Sequence, residues 1–524
     1  MASPKGIRAW WKARVKRLVA RAISTFGLWP GGGQSGYAGG ALNRLTSDWV
    51  MQPLSADQEL RTNLRALRAR ARELVRDDPF AKRFIQLCAA NLIGPTGIRL
   101  QGDVRMGSGD PSETVNETLE REWALWGRAG NCTADGRLSW RECERLIAKS
   151  LPQDGEVLIR LVRYFKGNAW AFAVQLLDPD QLDHQLNVAA QPGQHAIRMG
   201  VEVDSWGRPV AYHIWSAHPS EYEYDRARHQ DRIPADEIIH LFIPHRVGQS
   251  RGVTWFHPVL MALKMYDGYQ EAELVAARSG AAKPFWIVTK TDLGAQTFTA
   301  PEGTERQQME IEPGLATELD PGKEVQFSDP THPTNAFEPF TKMILKAVAT
   351  GLGVTHASLS SDLAEANYSS LRAGLLPERD EWRMGQDYLV EHCHRRVYEA
   401  WLDMALLTGR LKAGMRDPEG LKEVRWEPRG WAWVDPKNEM DAHIVAIANG
   451  LTSRRNVMAE SGLDLEETFV QLELENKLAA EHGIDVTSTA RTSKPAEDAK
   501  ETEDEETDEE QKAKDEQAKK LKMA

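Results

Sequence analysis

The sequence contains few cysteines and no long apolar run. Only four cysteines occur among its 524 residues, and no two of them form a CxxC pair. So few cysteines argue against a disulfide-stabilised fold and against a structural zinc site, and they fit synthesis in a reducing compartment. No stretch of eighteen apolar residues occurs, so we expect no membrane-spanning helix. The basic N-terminus lacks an apolar core segment, so we expect no secretory signal.

Familiar catalytic motifs are also missing. The glycine-rich stretch at residues 31–40 lacks the GK[ST] ending of a P-loop, and neither HExxH nor GxSxG occurs. His392, Cys393 and His394 have the composition of a metal site. On a helix, however, His392 and His394 would point about 200° apart, so they could not bind one ion. We therefore expect a protein that is not an enzyme and that needs no metal or other cofactor.

One acidic group keeps an alternative open. Asp178, Asp180 and Asp183 in "LLDPDQLD" could together hold a magnesium ion, as in a metal-dependent hydrolase. An Asp-Pro-Asp sequence after a strand is explained more simply by a turn that the aspartate side chains close with hydrogen bonds. We favour the turn.

Charge is distributed unevenly along the chain, whose net charge is −12. Residues 497–510 contain ten acidic residues and one lysine, a charge of −9, which leaves −3 for the rest. The first 29 residues carry seven lysines and arginines and no acidic residue. We expect residues 1–44 to form a basic helix and a glycine-rich linker, and residues 483–524 to form an acidic disordered tail. A monomeric DNA-binding adaptor that uses the basic N-terminus is a further alternative.

Hydrophobic periodicity predicts an α+β protein. Helical spacing predicts helices over residues 60–74, 255–280, 337–354 and 368–407, and further short helices are expected within residues 436–480. Pro377 should kink or restart the fourth of these helices. Alternating apolar residues predict strands, in an antiparallel or mixed sheet, at residues 155–165, 170–178, 200–215 and 237–243. Two short strands near 285–288 and 324–327 are expected between the second and third helices.

The order of these segments resembles the lambda-type family of tailed-phage portal proteins. The resemblance is carried by "NLIGPTGIRLQ" (91–101), "QDGEVLIRL" (153–161), "LLDPDQLD" (176–183), "GVEVDSWGRPVAYHIW" (200–215), "IPADEIIHLF" (233–242), "RVGQSRGVTWFHPVL" (246–260) and "GLGVTHASLSSDLAEANYSSLRAGLLPERDEW" (351–382). Together these segments place the match over about residues 45–470. Their number and order carry the match, since none of them contains catalytic chemistry.

The resemblance implies a homo-oligomeric ring, usually a dodecamer, at the portal vertex of a virion assembled in the host cytoplasm, away from membranes. Double-stranded DNA would pass through the channel of the ring during packaging and ejection, without its sequence being read. The implied partners are the terminase large subunit, the major capsid or scaffold protein, and the head-tail neck proteins. The missing ATP site fits this implication, because a separate terminase would supply the energy. The seventeen tryptophans fit it too, since tryptophan is common in interface cores.

The portal fold divides into named parts that can be carried over segment by segment. They are a mixed α/β wing (45–254), two stem helices (255–280 and 337–355), a small α/β clip (281–336), a tunnel loop (356–368), a long wing or spine helix with the wing segment after it (369–435), and an α-helical crown (436–482).

Two lysines and one loop are the candidate DNA-contacting residues. Lys342 and Lys346 lie one turn apart on a predicted stem helix, and in a ring they would form a belt of positive charge that attracts phosphate groups. The uncharged candidates in the tunnel loop and at its edge are Ser360, Ser361, Asn367, Ser369 and Ser370. Asp362 and Glu365 belong to the same loop and would repel phosphate, which favours steric guidance of DNA over adhesion.

Overall fold

The protein is described by a computed structural model. The described residues are 53–104, 112–221, 223, 228–281, 285–289, 323–327, 337–364, 367–411, 419–431, 436–460 and 465–482. The chain divides into two units, Met1–Ser55 and Ala56–Ala524, and all elements below belong to the second. The predictions for residues 1–44 and 483–524 lie outside the described residues, as does most of residues 281–336.

Helices account for most of the described chain. The α-helices are α1 (Ala56–Asp77), α2 (Pro79–Cys88), α3 (Glu113–Trp126), α4 (Trp140–Asp154), α5 (Leu260–Ala281), α6 (Phe337–Gly351), α7 (His356–Ser360), α8 (Tyr368–Leu389), α9 (Arg395–Leu407), α10 (Pro436–Ala448), α11 (Arg454–Glu460) and α12 (Leu465–His482). Two short π-helices, Ala89–Ile93 and Val390–His394, continue α2 and join α8 to α9. Pro377 lies inside α8, and the helix continues through it. Pro377 therefore does not restart the helix, and the hydrogen-bonding pattern changes only at the second π-helix.

The strands are β1 (Arg99–Gly102), β2 (Val157–Arg163), β3 (Phe172–Leu177), β4 (Ala196–Arg198), β5 (Val201–Val203), β6 (Pro209–Trp215), β7 (Gln230–Pro234), β8 (Ile238–Leu241), β9 (Phe285–Thr289), β10 (Lys323–Phe327) and β11 (Val424–Glu427).

The strands pair into small antiparallel sheets. Their orders are β3-β2-β8, β4-β5-β6-β7, β9-β10 and β1-β11. The predicted turn between β5 and β6 is present, and Gly207 adopts the positive φ of 81° that such a turn requires. The pairing of β1 with β11 was not predicted, because it joins residues that are more than three hundred positions apart. The mixed α+β class is confirmed.

Tryptophans form the centre of the main core. The ring of Trp123 contacts the rings of Trp126, Trp140, Trp401 and Trp426 at centroid distances of 4.7, 6.0, 5.3 and 5.9 Å. These residues come from α3, α4, α9 and β11, so one aromatic cluster joins elements from both ends of the described chain. These tryptophans therefore stabilise the interior of the subunit, whereas the sequence alone suggested an interface.

A buried carboxylate connects α1 to the two larger sheets. Glu156 is fully buried and accepts hydrogen bonds from Arg68 Nη2 at 2.7 Å, Arg251 Nη2 at 2.5 Å and His240 Nε2 at 3.0 Å. The backbone N–H of Gly252 also donates to Glu156 at 2.8 Å. Buried charge is costly unless it is paired in this way, so the partners are required for the carboxylate to be stable there.

Arg251 extends the same network to the turns of the sheets. Its guanidinium is fully buried and donates to the backbone oxygens of Pro179, Leu182 and Met199 at 3.1, 3.2 and 2.8 Å. One side chain therefore satisfies carbonyls at both ends of the segment between β3 and β5, which includes β4.

Two glycines allow the backbone to close around this network. A Cβ atom at Gly155 would lie 2.1 Å from the carbonyl carbon of Val253, and one at Gly252 would lie 2.1 Å from the carbonyl oxygen of Gly155. No side chain fits at either position. "QDGEVLIRL" and "RVGQSRGVTWFHPVL" thus meet in space, and they carry the buried ion network.

The pKa values of the network follow from its burial and its charges. Burial by itself raises the pKa of Glu156, but Arg251, His240 and Arg68 outweigh burial and hold that pKa well below its ordinary value. Burial lowers the pKa of His240, and its contact with Glu156 opposes the shift only in part. His240 is therefore neutral at neutral pH and donates its Nε2 proton to an ionised Glu156.

We expect Glu156→Gln to lower the free energy of unfolding by about 3–5 kcal/mol, because it leaves the buried guanidinium of Arg251 without its counter-charge and leaves Arg68 with Asp180 alone. Glu59→Gln is the matched control. It breaks the pair between Arg246 and Glu59, whose side chains are 49% and 50% exposed, and should cost less than about 1 kcal/mol. Chemical denaturation at one fixed protein concentration measures both variants. Equal destabilisation of the two variants would refute a special role for the buried carboxylate.

Acid should destabilise the network in two steps. The folded pKa of His240 lies below its unfolded value of 6.5, so the contribution of neutral His240 is complete above pH 6.5 and declines as the pH falls toward the folded value. The contribution of ionised Glu156 is complete above its unfolded value of 4.5 and disappears only as the pH falls through its depressed folded pKa. His240→Gln should therefore flatten the plot of unfolding free energy against pH between about pH 7 and 5, by at most about 1.4 kcal/mol per pH unit. A slope unaltered by His240→Gln would contradict the linkage.

Candidate functional site

The two candidate lysines lie on one face of α6 but in different environments. Lys342 is 22% exposed and its Nζ lies 3.0 Å from a Glu338 carboxylate oxygen and 3.7 Å from Asp362 Oδ2. Lys346 is exposed and makes no ion pair with any residue that the structure describes. The helix therefore presents one partly neutralised lysine and one solvated lysine. Their spacing along the sequence does not distinguish them.

The predicted tunnel loop begins as a helix. Residues His356–Ser360 form α7, and the hydroxyl of Thr355 accepts the N–H of Ser358 at 3.2 Å as its N-terminal cap. Glu378 of α8 is buried and accepts the Thr355 N–H at 2.9 Å and the Ser358 hydroxyl at 3.0 Å. Ser360 is thus the last residue of a short anchored helix, and the segment assigned to the tunnel loop, residues 356–368, begins with one helical turn.

Asp362, one of the two acidic residues of this loop, pairs with a lysine of α6, which the sequence alone did not reveal. Asp362 follows Ser361, which ends α7 with a positive φ of 59°. The Asp362 carboxylate accepts the N–H of Ala364 at 3.1 Å and pairs with Lys342. The Ala364 N–H first, and then the charge of Lys342, lower the pKa of Asp362. Its negative charge is therefore offset by a lysine of the facing helix. Glu365, the second acid, lies outside the described residues.

The remaining candidates mark the start of α8. Asn367 Oδ1 accepts the N–H of Ser370 at 2.8 Å, and the Ser370 hydroxyl donates to the Asn367 carbonyl at 2.9 Å. These two side chains cap the helix, which is a structural role. Ser369 is exposed in the first turn. Among the five uncharged candidates, only Ser361 and Ser369 are exposed with no side-chain hydrogen bond recorded in the described chain.

The three aspartates of the alternative metal site do not come together. Asp178 Oδ1 accepts the N–H of Asp180 at 2.8 Å and begins a short 3-10 helix, Pro179–Gln181, which confirms the predicted turn. Asp183 instead accepts the N–H of Gln185 and the Nε2 of Gln230.

A different third residue, His218, approaches Asp178 and Asp180 so that single ligand atoms of the three lie within 4.8 Å of one another. The two carboxylates already accept hydrogen bonds from arginines. Arg72 donates to Asp178 at 2.9 Å, and Arg68 and Arg72 donate to the two oxygens of Asp180. His218 Nδ1 accepts the N–H of Ser220 at 3.2 Å, so the Nε2 that faces Asp180 carries the ring proton. Asp178, Asp180 and His218 are therefore connected to the salt-bridge network around Glu156, because Arg68 donates to both Asp180 and Glu156.

The histidines near the second π-helix also have separate partners. His394 is buried, with Nε2 2.7 Å from Glu144 and Nδ1 3.0 Å from the carbonyl of Leu389. The rings of His392 and Tyr388 are in contact, with their centroids 4.5 Å apart. As predicted, the two histidines do not converge on one point.

Among the described helices, none is long and apolar enough to cross a membrane.

Comparison with solved structures finds similar chains in gene transfer agent particles. A chain of a structure titled "Virion of native gene transfer agent (GTA) particle" is 17% identical, with a TM-score of 0.40, and the match covers 76% of this chain and 93% of that one. A chain of "Neck of native GTA particle computed with C12 symmetry" is 16% identical, with a TM-score of 0.39, covering 80% and 97%.

Comparison of sequences identifies the family. The probable portal protein of Halomonas phage phiHAP-1 is 34% identical over 439 residues, which are 82% of this chain and 84% of that protein. Portal protein B of Escherichia phage lambda is 22% identical over 490 residues, covering 84% and 88%. Residues 42–386 match the model of the family described as phage portal protein, lambda family. The chain therefore belongs to the lambda family of phage portal proteins.

Proposed function

We propose that copies of this chain form a closed ring of twelve subunits, through which double-stranded DNA enters and leaves a phage head or a gene-transfer particle. The observation that carries this proposal is the family match over residues 42–386. Portal proteins are structural components of the particle, which fits a chain without a recognisable catalytic motif. The location that follows is the portal vertex of the particle, reached by assembly in the host cytoplasm.

Exposed apolar side chains on two neighbouring helices support ring formation. On α5, Met261 and Met265 are 66% and 70% exposed, and on α6 Met343 is 63% exposed. The opposite side of α6 packs inward through Leu345 and Val348, which are buried. A helix that is apolar on two sides is suited to packing against its own subunit on one side and a neighbour on the other. A closed ring buries such a face on every subunit.

The order of the elements supports an assignment of portal parts. Helices α5 and α6 are the stem pair, the hairpin of β9 and β10 belongs to the clip, α8 with its continuation is the spine helix, and α10 to α12 form the crown. Residues before α5 form the wing. Under this assignment the tunnel loop comes after α6, and its first residues form the helix α7. The residues from Ser361 to the start of α8 would lie nearest the DNA.

The environments of the two lysines define their proposed roles. Lys346 is the residue that attracts phosphate, because it is exposed and makes no ion pair within the described chain. Lys342 positions the loop through its contact with Asp362. The loop would then guide DNA by shape, with little net charge where Asp362 and Lys342 meet. The partners remain those of a passive conduit: the terminase large subunit and neck proteins at the clip, and the capsid or scaffold protein at the wing.

Ring formation is tested by native mass measurement and negative-stain images of the purified full-length protein. We expect rings with a central hole for the native sequence. Met265→Asp should shift the mass toward monomers, because it places a charge on the exposed apolar face of α5 that a neighbour would bury. Circular dichroism controls for folding. A native protein that stays monomeric at working concentration would refute the proposed ring.

The roles of the lysines are tested by packaging DNA with rings of Lys346→Gln or Lys342→Gln at several salt concentrations. Lys346→Gln should lower the salt dependence of packaging more than Lys342→Gln does, because only the solvated lysine releases counterions from phosphate. Lys264→Gln is the matched control, since Lys264 lies on α5, is 67% exposed and pairs with Asp267. Identical salt dependence in all three variants and the native ring would eliminate the lysine belt.

A further inference from the structure

Helix α4 presents a row of positive charge to solvent. Arg141, Arg145 and Lys149 are spaced four residues apart, so they lie on one side of the helix, within about 80° of one another. Arg141 and Lys149 are exposed, and Arg145 is half-buried. None of the three forms an ion pair with a residue that the structure describes. These three residues are called here the α4 stripe.

Glu142 is the acidic residue of α4 that lies nearest the stripe. Its carboxylate accepts the N–H and the hydroxyl of Ser139, both at 2.8 Å, and so caps the start of the helix. These two bonds first, and then the charge of Arg145, lower the pKa of Glu142, although burial opposes the shift. The other acidic residues of α4, Glu144 and Asp154, are buried. One carboxylate therefore offsets part of the positive charge, and the stripe as a whole stays positive.

Two features of the α4 stripe favour the binding of an anion. Arg145 donates to the carbonyls of Gly94 and Pro95 at 3.4 and 2.6 Å, so its guanidinium is held in place before any ligand arrives. Ordering in advance lowers the entropic cost of binding. Like charges four residues apart also destabilise a helix, so an anion bound along the stripe would stabilise α4 itself.

The basic residues of α1 do not form a comparable row. Arg61 and Arg65 are exposed and four residues apart, as on α4. The same side of the helix continues with Ala69 and with Glu73, an exposed acidic residue. The positive charge of α1 therefore ends after two residues and is followed by a negative charge, whereas the α4 stripe is uninterrupted.

The chain contains a segment whose charge is complementary to the α4 stripe. Residues 497–510 include ten acidic residues and one lysine. Fifteen residues separate the start of this segment from His482, the last residue of α12, and an extended chain of that length spans about 50 Å. The segment can therefore contact surfaces well away from α12.

We propose that residues 497–510 bind the α4 stripe. Several carboxylates in sequence can face the three cations at once, so the contact requires charge density rather than one fixed set of pairs. Attachment to the same chain raises the effective concentration of the segment, which compensates for the weakness of each exposed ion pair. While bound, the segment would prevent other polyanions from binding to this side of α4. The proposal depends on charge and reach alone and is independent of the proposed ring and channel.

The test is zero-length cross-linking of the full-length protein with a carbodiimide. The reagent activates a carboxylate, and a lysine amine then displaces it to form an amide, which peptide mass spectrometry locates. Acidic residues of the segment should cross-link to Lys149 about fivefold more than to Lys82 at low salt. Lys82 is the matched control, because it is exposed on α2 and forms no ion pair with a described residue. At 1 M salt, where charges are screened beyond about 3 Å, the two yields should become equal.

One substitution tests the stripe without altering the lysine that reports on it. Arg141→Gln should lower the yield at Lys149 severalfold, because it removes one of the three charges that attract the segment. Arg65→Gln removes the same charge from α1 and should leave that yield unchanged, and circular dichroism checks that both variants fold. Equal cross-linking to Lys149 and Lys82 at low salt, or a yield unaltered by Arg141→Gln, would overturn the proposal. Preferential cross-linking to Lys346 of α6 would overturn α4 as the binding surface.

Discussion

The ionised carboxylate of Glu156 is the interaction on which the rest of the subunit depends. It is shielded from solvent, and it is stable there only because Arg68, Arg251 and His240 all reach it. Those partners come from α1, from the segment before α5 and from β8. Because they meet at one carboxylate, α1, the two larger sheets and the segment before α5 are fixed in one arrangement. Few other core contacts would discriminate so sharply between alternative packings, since apolar contacts tolerate sliding and a buried charge does not.

Several of the segments that carry the family resemblance contribute to this network. The segments "QDGEVLIRL", "LLDPDQLD" and "RVGQSRGVTWFHPVL" supply the buried carboxylate, the capped turn and Arg251 with its neighbouring glycine. "NLIGPTG" seats Arg429 and Trp431, which both donate to Asn91 Oδ1. These segments encode the construction of the subunit, and the proposed DNA-facing positions are set on top of it.

The sequence indicated where along the chain the candidate DNA-contacting residues lie, but it did not indicate which of them form ion pairs. The positions of Lys342 and Lys346 on one helix face followed from their spacing. Their difference did not, because the contact between Lys342 and Asp362 joins a helix to a loop that folds back on it. The helical start of the loop was missed for a similar reason, since Glu378 anchors α7 from the next helix. The arginines around Trp431 come from α8 and from the segment after β11, and no local pattern connects them.

Local patterns of the sequence determined the elements of this protein: the helices with their apolar stripes, the strands of period two, the turn at Gly207 and the capped turn at Asp178. Each of these depends on residues within a few positions of one another, where spacing alone sets which side chains share a face. The tertiary structure decided which charges pair, where the tryptophans are buried, how β1 meets β11, and that α8 continues through Pro377 to an irregularity at the π-helix. These outcomes depend on contacts between distant residues, and the energy of a buried ion pair or aromatic cluster exists only once the chain has brought its members together.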